Sequence, residues 1–330
     1  MSNTTESSVE RTVQLAGNTT FVVSLPKEWA TEQGLEPGAS MHLYPHHDRV
    51  VVAPASLEAS ERERRIDAGS VEPEVVCHRI RVAYAAGTDR ITVVDADGFD
   101  RDVRRRLTRL FSRLIGVEIL EETEDRIVAT DFLNAGDVSL PQTTAQIRQH
   151  AMTMTADAID AVRTDDEALA RRVIDRDDDV DRLFAFVSRG FHRGLEDVQE
   201  ITSLDVDRWS AFHSYRTARE LERIADHAER IATVALGQSS PPDDPLGSEM
   251  EALAADARDV VELALDGEAD EALSTCSRVL ERTDRLDQQL CGECDPDTYR
   301  YGFVLESVRR IAELGVSLTE STIETEDSDD

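Results

Sequence analysis

Cys291-Gly-Glu-Cys294 is the first place to look for chemistry in this chain, because two thiols at that spacing can clamp zinc or exchange disulfides. A structural zinc site needs a second pair, and none stands at a matching distance; Cys276, on the preceding helical stretch, is the other thiol within reach. The expectation is two helix-end cysteines. His46-His47 fall in a hairpin turn between apolar runs and are expected to face solvent. There is no Gly-rich phosphate loop, His-Glu-x-x-His motif or nucleophile motif, so the chain is not read as an enzyme. The cations say more. Lys27 is the only lysine. Arg101, Arg104, Arg105, Arg106, Arg109 and Arg113 decorate one amphipathic segment. Such a row reads first as a solvated face paired with acidic neighbours such as Glu121, Glu122 and Glu124. A dock for an acidic helical domain comes second, and a nucleic-acid contact third.

Acids outnumber bases by 68 to 36 over 330 residues, a net charge of −32. Abundant carboxylates with almost no lysine match the composition of a halophile whose cytoplasm holds molar salt. There the Debye length shrinks to about 3 Å and the self-repulsion is screened. Much of the acidity is then a solubility adaptation rather than the mark of a partner. Residues 1–56 carry −3, residues 57–135 carry −4 and the remainder −25, so any nucleic-acid contact belongs to the front of the chain. No apolar run approaches the roughly 20 residues that span a bilayer, which excludes an integral membrane protein. The opening MSNTTESSVE lacks a basic start and an apolar stretch, so no signal peptide is expected and the protein is placed in the cytoplasm. The four cysteines of such a chain are not read as a disulfide framework.

The elements that must position these residues form a multidomain α+β chain. Residues 1–8 are polar and expected to be disordered. In 9–56, the alternation of VERTVQLA, the β-branched TTFVVSL, the Pro26-led stretch PKEWATEQGL, and MHLY and RVVVA predict four short strands and a helical turn. Residues 57–74 are charged and end in Gly, Ser and Pro; they are expected to be a linker with some helix. In 75–136, VVCHRIRVAY, RITVV, VEILEE and RIVATDFL read as strands around a helix carrying Val103, Leu107, Leu110, Phe111, Leu114 and Ile115. That order, β-β-α-β-β, makes a small α/β domain. Residues 137–323 are helical almost throughout, with breaks at 238–245 and 291–297, predicting six helices in two groups of three. Residues 324–330 form an acidic tail. A weak internal repeat supports the grouping: DEALARRVIDRDDDVDRL at 166–183 resembles DEALSTCSRVLERTDRLD at 270–287, and RIAD at 223–226 resembles RIAE at 310–313.

Particular residues tie the front unit to a known family. Arg11-Thr-Val, Gly17 with Thr19-Thr20, Ser24-Leu-Pro-Lys27-x-Trp29, Gly34-Leu-x-Pro-Gly38 and a last strand ending in Val-Val-Ala-Pro54 resemble the AbrB/SpoVT family of DNA-binding domains. The resemblance implies a swapped-hairpin β-barrel made by two copies, hence a homodimer, with promoter DNA as partner. It also implies Arg11 and Lys27 as phosphate contacts, with Asn18, Thr19 and Thr20 as lesser polar contacts. Physically, a unit this small cannot bury an adequate core alone, whereas two interleaved copies can. The unit has few cations, and counterion release fades as salt rises, so binding in molar salt would rest on shape or base contacts.

The helical part resembles PhoU, the phosphate-uptake regulator family, most specifically in RELERIADHAERIA at 219–232, with Ala225 where the family usually has glycine. VIDRDDDVDRL at 173–183 matches the acidic motif of the preceding helix. The combination is similar to archaeal PhoU-type regulators with an AbrB-like front. It implies a DNA-binding transcriptional regulator of phosphate uptake and phosphate homeostasis. The alternative is a negative regulator that does not bind DNA and contacts the phosphate transporter ATPase or a signalling partner. The resemblance further implies a transition metal, iron or similar, on Asp177, Asp181, Glu222 and Asp226. The i,i+4 spacing puts each pair on one helix face. The apolar stripe Leu221, Ile224, Ala225, Ala228, Ile231, Ala232 leaves Glu222 and Asp226 roughly 120–160° from its centre, so any metal is expected on the bundle surface. The second repeat keeps Asp287 and Glu313 but has Thr283 and Arg309 in the other places, so one site at most is expected.

Overall fold

The computed structural model describes residues 8–17, 19–45, 50–55, 62–133, 139–196, 207–290 and 296–326. It divides into two compact units, residues 1–60 and 61–330.

In the first unit, β1 (Gln14–Ala16) and β2 (Thr20–Val22) form an antiparallel hairpin, α1 (Lys27–Glu32) follows, and β3 (Met41–Pro45) pairs antiparallel with β4 (Val50–Pro54). These are the four short strands and helical turn that the alternation predicts. Gly17, at φ 69°, supplies the left-handed residue of the first turn, which a side chain would strain. Among the described residues, strands pair only within each hairpin and no closed barrel forms. The physical reason lies in the burial. Pro54 is the only buried residue described here, while Phe21 is 75% and Leu43 63% exposed. Among the described residues of this unit, the apolar side chains of both hairpins are left largely exposed.

The second unit begins with a four-stranded sheet of order β5-β6-β8-β7, built from β5 (Glu63–Asp67), β6 (Arg90–Val94), β7 (Val117–Glu122) and β8 (Arg126–Asp131). β5 and β6 are parallel, joined by α2 (Pro73–Ala85); β6–β8 and β7–β8 are antiparallel, with α3 (Arg101–Arg113) between β6 and β7. Two expectations are corrected here. VVCHRIRVAY is not a strand but most of α2. Its buried residues, Val76, Cys77, Ile80, Ala83 and Tyr84, recur at helical intervals, while Val75 and Val82 are exposed. Pro73 sits in the first turn, where its missing N–H costs nothing. The strand that α2 displaces, β5, lies inside the segment read as a linker. Only Ile66 of β5 is buried, so charged neighbours hide its alternation.

Among the described residues six helices follow: α4 (Leu140–Thr164), α5 (Glu167–Glu196), α6 (Arg208–Ala235), α7 (Asp244–Leu265), α8 (Ala269–Leu290) and α9 (Pro296–Glu326). The breaks expected at 238–245 and 291–297 fall between α6 and α7 and between α8 and α9, and α9 runs into the segment read as an acidic tail. The side-chain oxygens of Asp207 and Asp243 cap α6 and α7, accepting from Ser210 N at 2.8 Å and Leu246 N at 3.0 Å. Helices α4, α6, α7 and α9 pack together, α5 lies against α4 and α6, and α8 against α7 and α9. The expected stripe Leu221, Ile224, Ala225, Ala228, Ile231, Ala232 is wholly buried. Among the described residues, no helix is long and apolar enough to cross a membrane.

The α/β layer is welded to the bundle by a buried ionic cluster. Arg189 of α5, 4% exposed, donates to Asp131 Oδ2 through Nη2 at 2.5 Å and Nε at 3.1 Å. Its Nη1 donates to the backbone oxygens of Tyr84 at 3.0 Å and Thr88 at 2.8 Å. Arg193 adds bonds to Asp89 Oδ1 at 2.7 Å and Asp131 Oδ2 at 3.3 Å. The Arg189 guanidinium lies 5.0 Å from the ring centre of fully buried Tyr84, whose hydroxyl donates to Ile115 O at 2.9 Å.

Candidate functional site

The carboxylates singled out in the sequence come together along the contact of α5 with α6. Asp177 and Asp181 stand one turn apart on α5, and Glu222, Asp226 and Glu229 follow on successive turns of α6. Asp177, Asp181, Glu222 and Asp226 were expected on the bundle surface; instead they are half-buried, as is Glu229, which the sequence reading did not single out. Helical periodicity sees only a helix's own apolar stripe, whereas here α5 packs on α6, and α2 packs on α5.

Loss of solvent then dominates their chemistry. Burial, followed by the charges of Asp181, Glu229, Asp226 and Glu222, pushes the Asp177 carboxyl up to about 7. Burial, with Asp226 and Asp181, pushes Glu222 up to about 7, against the pull of Arg219 and Arg223. Asp181, Asp226 and Glu229 are raised too, chiefly by burial; Arg81 opposes the rise at Asp181, and Arg230 at Asp226 and Glu229. The group therefore holds more negative charge than its surroundings tolerate and attracts protons or an external cation. A fitted metal site is a stricter requirement. Among the described residues no three His, Cys, Asp or Glu side chains converge closely enough to hold a metal ion, so as placed these carboxylates do not form a coordination sphere.

A cavity of about 380 Å³ adjoins them between the α/β layer and the bundle, with Arg81, Arg113, Asp181, Arg219 and Glu222 on its wall. The arginine row of α3 enters here. Arg113 pairs with Asp178 at 2.6 Å, so one end of the row docks on the acidic bundle. Arg104 lies 3.6 Å from Glu122, one of its expected acidic neighbours, and Arg106 pairs with Glu74. The second repeat has no equivalent acid face. Thr283 is buried and donates to Val279 O at 3.0 Å, and Arg309 pairs with Asp284 at 2.7 Å and Glu313 at 3.3 Å.

The candidate DNA contacts lie on the other unit. Arg11, Thr19, Thr20 and Lys27 are exposed, Lys27 as the first residue of α1, and Arg11 Nη1 donates to Glu10 O at 2.9 Å. Asn18 lies outside the described residues, as do His46, His47, Cys291 and Cys294. Cys276 is a free, buried thiol, raised by burial and by Glu313. Arg81 and Arg189, which neutralise the carboxylates of this junction, were missed in the sequence. The pairing of Arg189 with Asp131 across 58 positions leaves no local signal.

Residues 144–235 match the PhoU domain, a span that runs from the first turn of α4 to the end of α6 and contains all five carboxylates. Among solved structures, PhoU, the phosphate transport system regulatory protein of Streptococcus pneumoniae, is similar to this chain at 18% identity. The match covers 57% of this chain and 93% of that one, with a TM-score of 0.45. PhoU from Pseudomonas aeruginosa is similar at 21% identity over 56% of this chain and 93% of that one, with a TM-score of 0.43. No curated protein matches the chain.

The raised carboxyls make a stability prediction whose sign is fixed. Asp177 and Glu222 titrate near 7 when folded and near 4 when unfolded, so between those values the folded state binds more protons. Their contribution therefore becomes less favourable as pH rises from about 4 to about 7, and the full penalty applies above. Asp177→Asn with Glu222→Gln should raise the melting temperature above neutral pH and flatten its fall across that window. A double variant that melts at the wild-type temperature at every pH would refute this account.

Proposed function

We propose that this chain is a PhoU-type regulator of phosphate uptake, not a catalyst, and that it acts by protein contact. The observation that carries the reading is the PhoU-domain match over α4 to α6, the helices that gather the acid face. The partner is the ATPase of a phosphate transporter, or a signalling protein coupled to it, met in the cytoplasm. A homodimer through the first unit is part of the proposal, supported by the apolar residues its hairpins leave exposed. A cation, iron or similar, at Asp177, Asp181, Glu222 and Asp226 belongs to the proposal only if the carboxylates move together; elemental analysis of the purified protein tests it.

The test is co-purification of the full chain with the transporter ATPase in molar KCl, alongside phosphate uptake in cells lacking the gene. A complex, and uptake that no longer responds to external phosphate, is the expected outcome. No complex and unchanged uptake would overturn the reading. The promoter-binding reading rests on a specific observation as well: Arg11, Lys27, Thr19 and Thr20 are exposed on a unit that carries only −3 of the total charge. A band shift with the transporter promoter that disappears in Arg11→Ala/Lys27→Ala would favour it. Equal retardation of unrelated DNA would count against it.

A further inference from the structure

Beside the acid face on α6, His227, Arg230, Thr233 and Val234 form one wall of a cleft of about 420 Å³; Phe303, Glu306, Ser307 and Arg310 of α9 form the other. Three features set it apart. The first is an orphan: His227 Nδ1 is enclosed and has no hydrogen-bond partner. Enclosed polar atoms in folded proteins nearly always have one, so an unpaired nitrogen points to something missing from the wall. The second is a spare cation. Arg230 makes no ion pair or hydrogen bond of contact length among the described residues; it acts on Asp226 and Glu229 only through space. The third is the sign of the local field. In a chain of net charge −32, His227 sits among Arg230, Arg310 and Arg223, and burial together with these cations, against the opposing charge of Glu313, lowers its pKa to about 4. Arg310 is tied to Glu306 at 3.0 Å and Glu313 at 2.7 Å, so among the described residues Arg230 is the cation of this cleft with no carboxylate in contact, Asp226 and Glu229 acting on it only through space. Beside these polar groups stands the Phe303 ring, 53% exposed, which packs edge-on against Tyr299.

We propose that this cleft binds a small phosphorylated molecule, with its phosphoryl oxygens on Arg230 and Arg310 and within reach of His227, and its flat organic part on Phe303. A guanidinium fork matches phosphoryl oxygens two at a time, and a neutral imidazole can donate to an oxyanion while resisting protonation. An exposed aromatic face offers stacking to a ring of any identity. The cleft is also wider than a bare phosphate needs, which is why the organic part belongs to the proposal. The inference stands on this cleft alone. Loss of the transporter contact would leave it intact, and its own failure would leave that contact untouched.

The experiment is calorimetric titration of the full chain with AMP, inorganic phosphate and adenosine, for wild type, Arg230→Gln and Phe303→Ala. Both substitutions are at exposed positions, so folding is retained; circular dichroism checks it. The expected result is AMP binding at one site per chain, weakened at least tenfold in Arg230→Gln and several-fold in Phe303→Ala, with adenosine silent. Phosphate binding as well as AMP, with both lost in Arg230→Gln, would support the oxyanion site and assign it to free phosphate. Absence of binding by either phosphate compound, binding of adenosine equal to AMP, or AMP binding that Arg230→Gln leaves unchanged would each overturn the proposal.

Discussion

In the homodimer proposed above, Phe21→Asp should separate the two copies, read as a halving of the mass found by light scattering behind gel filtration, from two chains of 36.7 kDa to one. The argument is one of surface. Phe21 is 75% exposed in a single copy, and Val13, Leu15, Val23 and Leu43 are each more than half exposed beside it in the same small unit. Fully burying a side chain of this class is worth about 1.5–3 kcal/mol. In a two-fold dimer every contact occurs twice. Replacing both Phe21 rings by carboxylates therefore removes about 4 kcal/mol or more, which weakens association about a thousandfold. Phe21→Leu serves as the control and should remain dimeric. A wild-type protein that runs as a monomer, or a dimer that survives Phe21→Asp, would refute the dimer and leave the exposed hairpins for another partner.

The second large effect is expected at Arg189. Arg189→Met leaves Asp131, whose side chain is 6% exposed, without its closest cation, and frees two backbone oxygens in a dry junction. Removing one partner of a buried pair costs about 3–5 kcal/mol, because the remaining charge stays desolvated. Arg193 reaches Asp131 only at 3.3 Å and does not replace the lost bonds. Urea denaturation should show this loss, and amide exchange should quicken in β8 and in the C-terminal half of α2, the segments Arg189 bridges. Adding Asp131→Leu should recover much of the stability, since it removes the stranded charge. The loss should persist in molar salt, which screens exposed pairs. By contrast, Arg285→Ala breaks an exposed pair with Glu281 and should cost about 0.5 kcal/mol or less. A change at Arg189 no larger than at Arg285 would show that the cluster does not join the layers.

What the sequence determined by itself was local. Alternation placed β1, β-branched and apolar runs placed β2 to β4 and β6 to β8, and the 3.6-residue period placed α3 and the buried stripe of α6. Pro and Gly marked the breaks at 238–245 and 291–297, because these residues act on their own backbone. The internal repeat foretold the two three-helix groups, and the i,i+4 acids foretold which carboxylates share a helix face. Tertiary structure decided the rest. VVCHRIRVAY carries enough β-branched residues to read as a strand, and only its docking on the sheet and on α5 shows which of them are buried. β5 exists because β6 supplies its hydrogen bonds, for its own residues are nearly all charged. The acid face reads as solvated on a helical wheel, yet α5, α6 and the α/β layer together take its water away and raise its carboxyls. Arg189 with Asp131, and His227 with the α9 wall, join residues too far apart for periodicity to relate. Burial and charge pairing are properties of neighbours, and neighbours distant along the chain are assigned only when it folds.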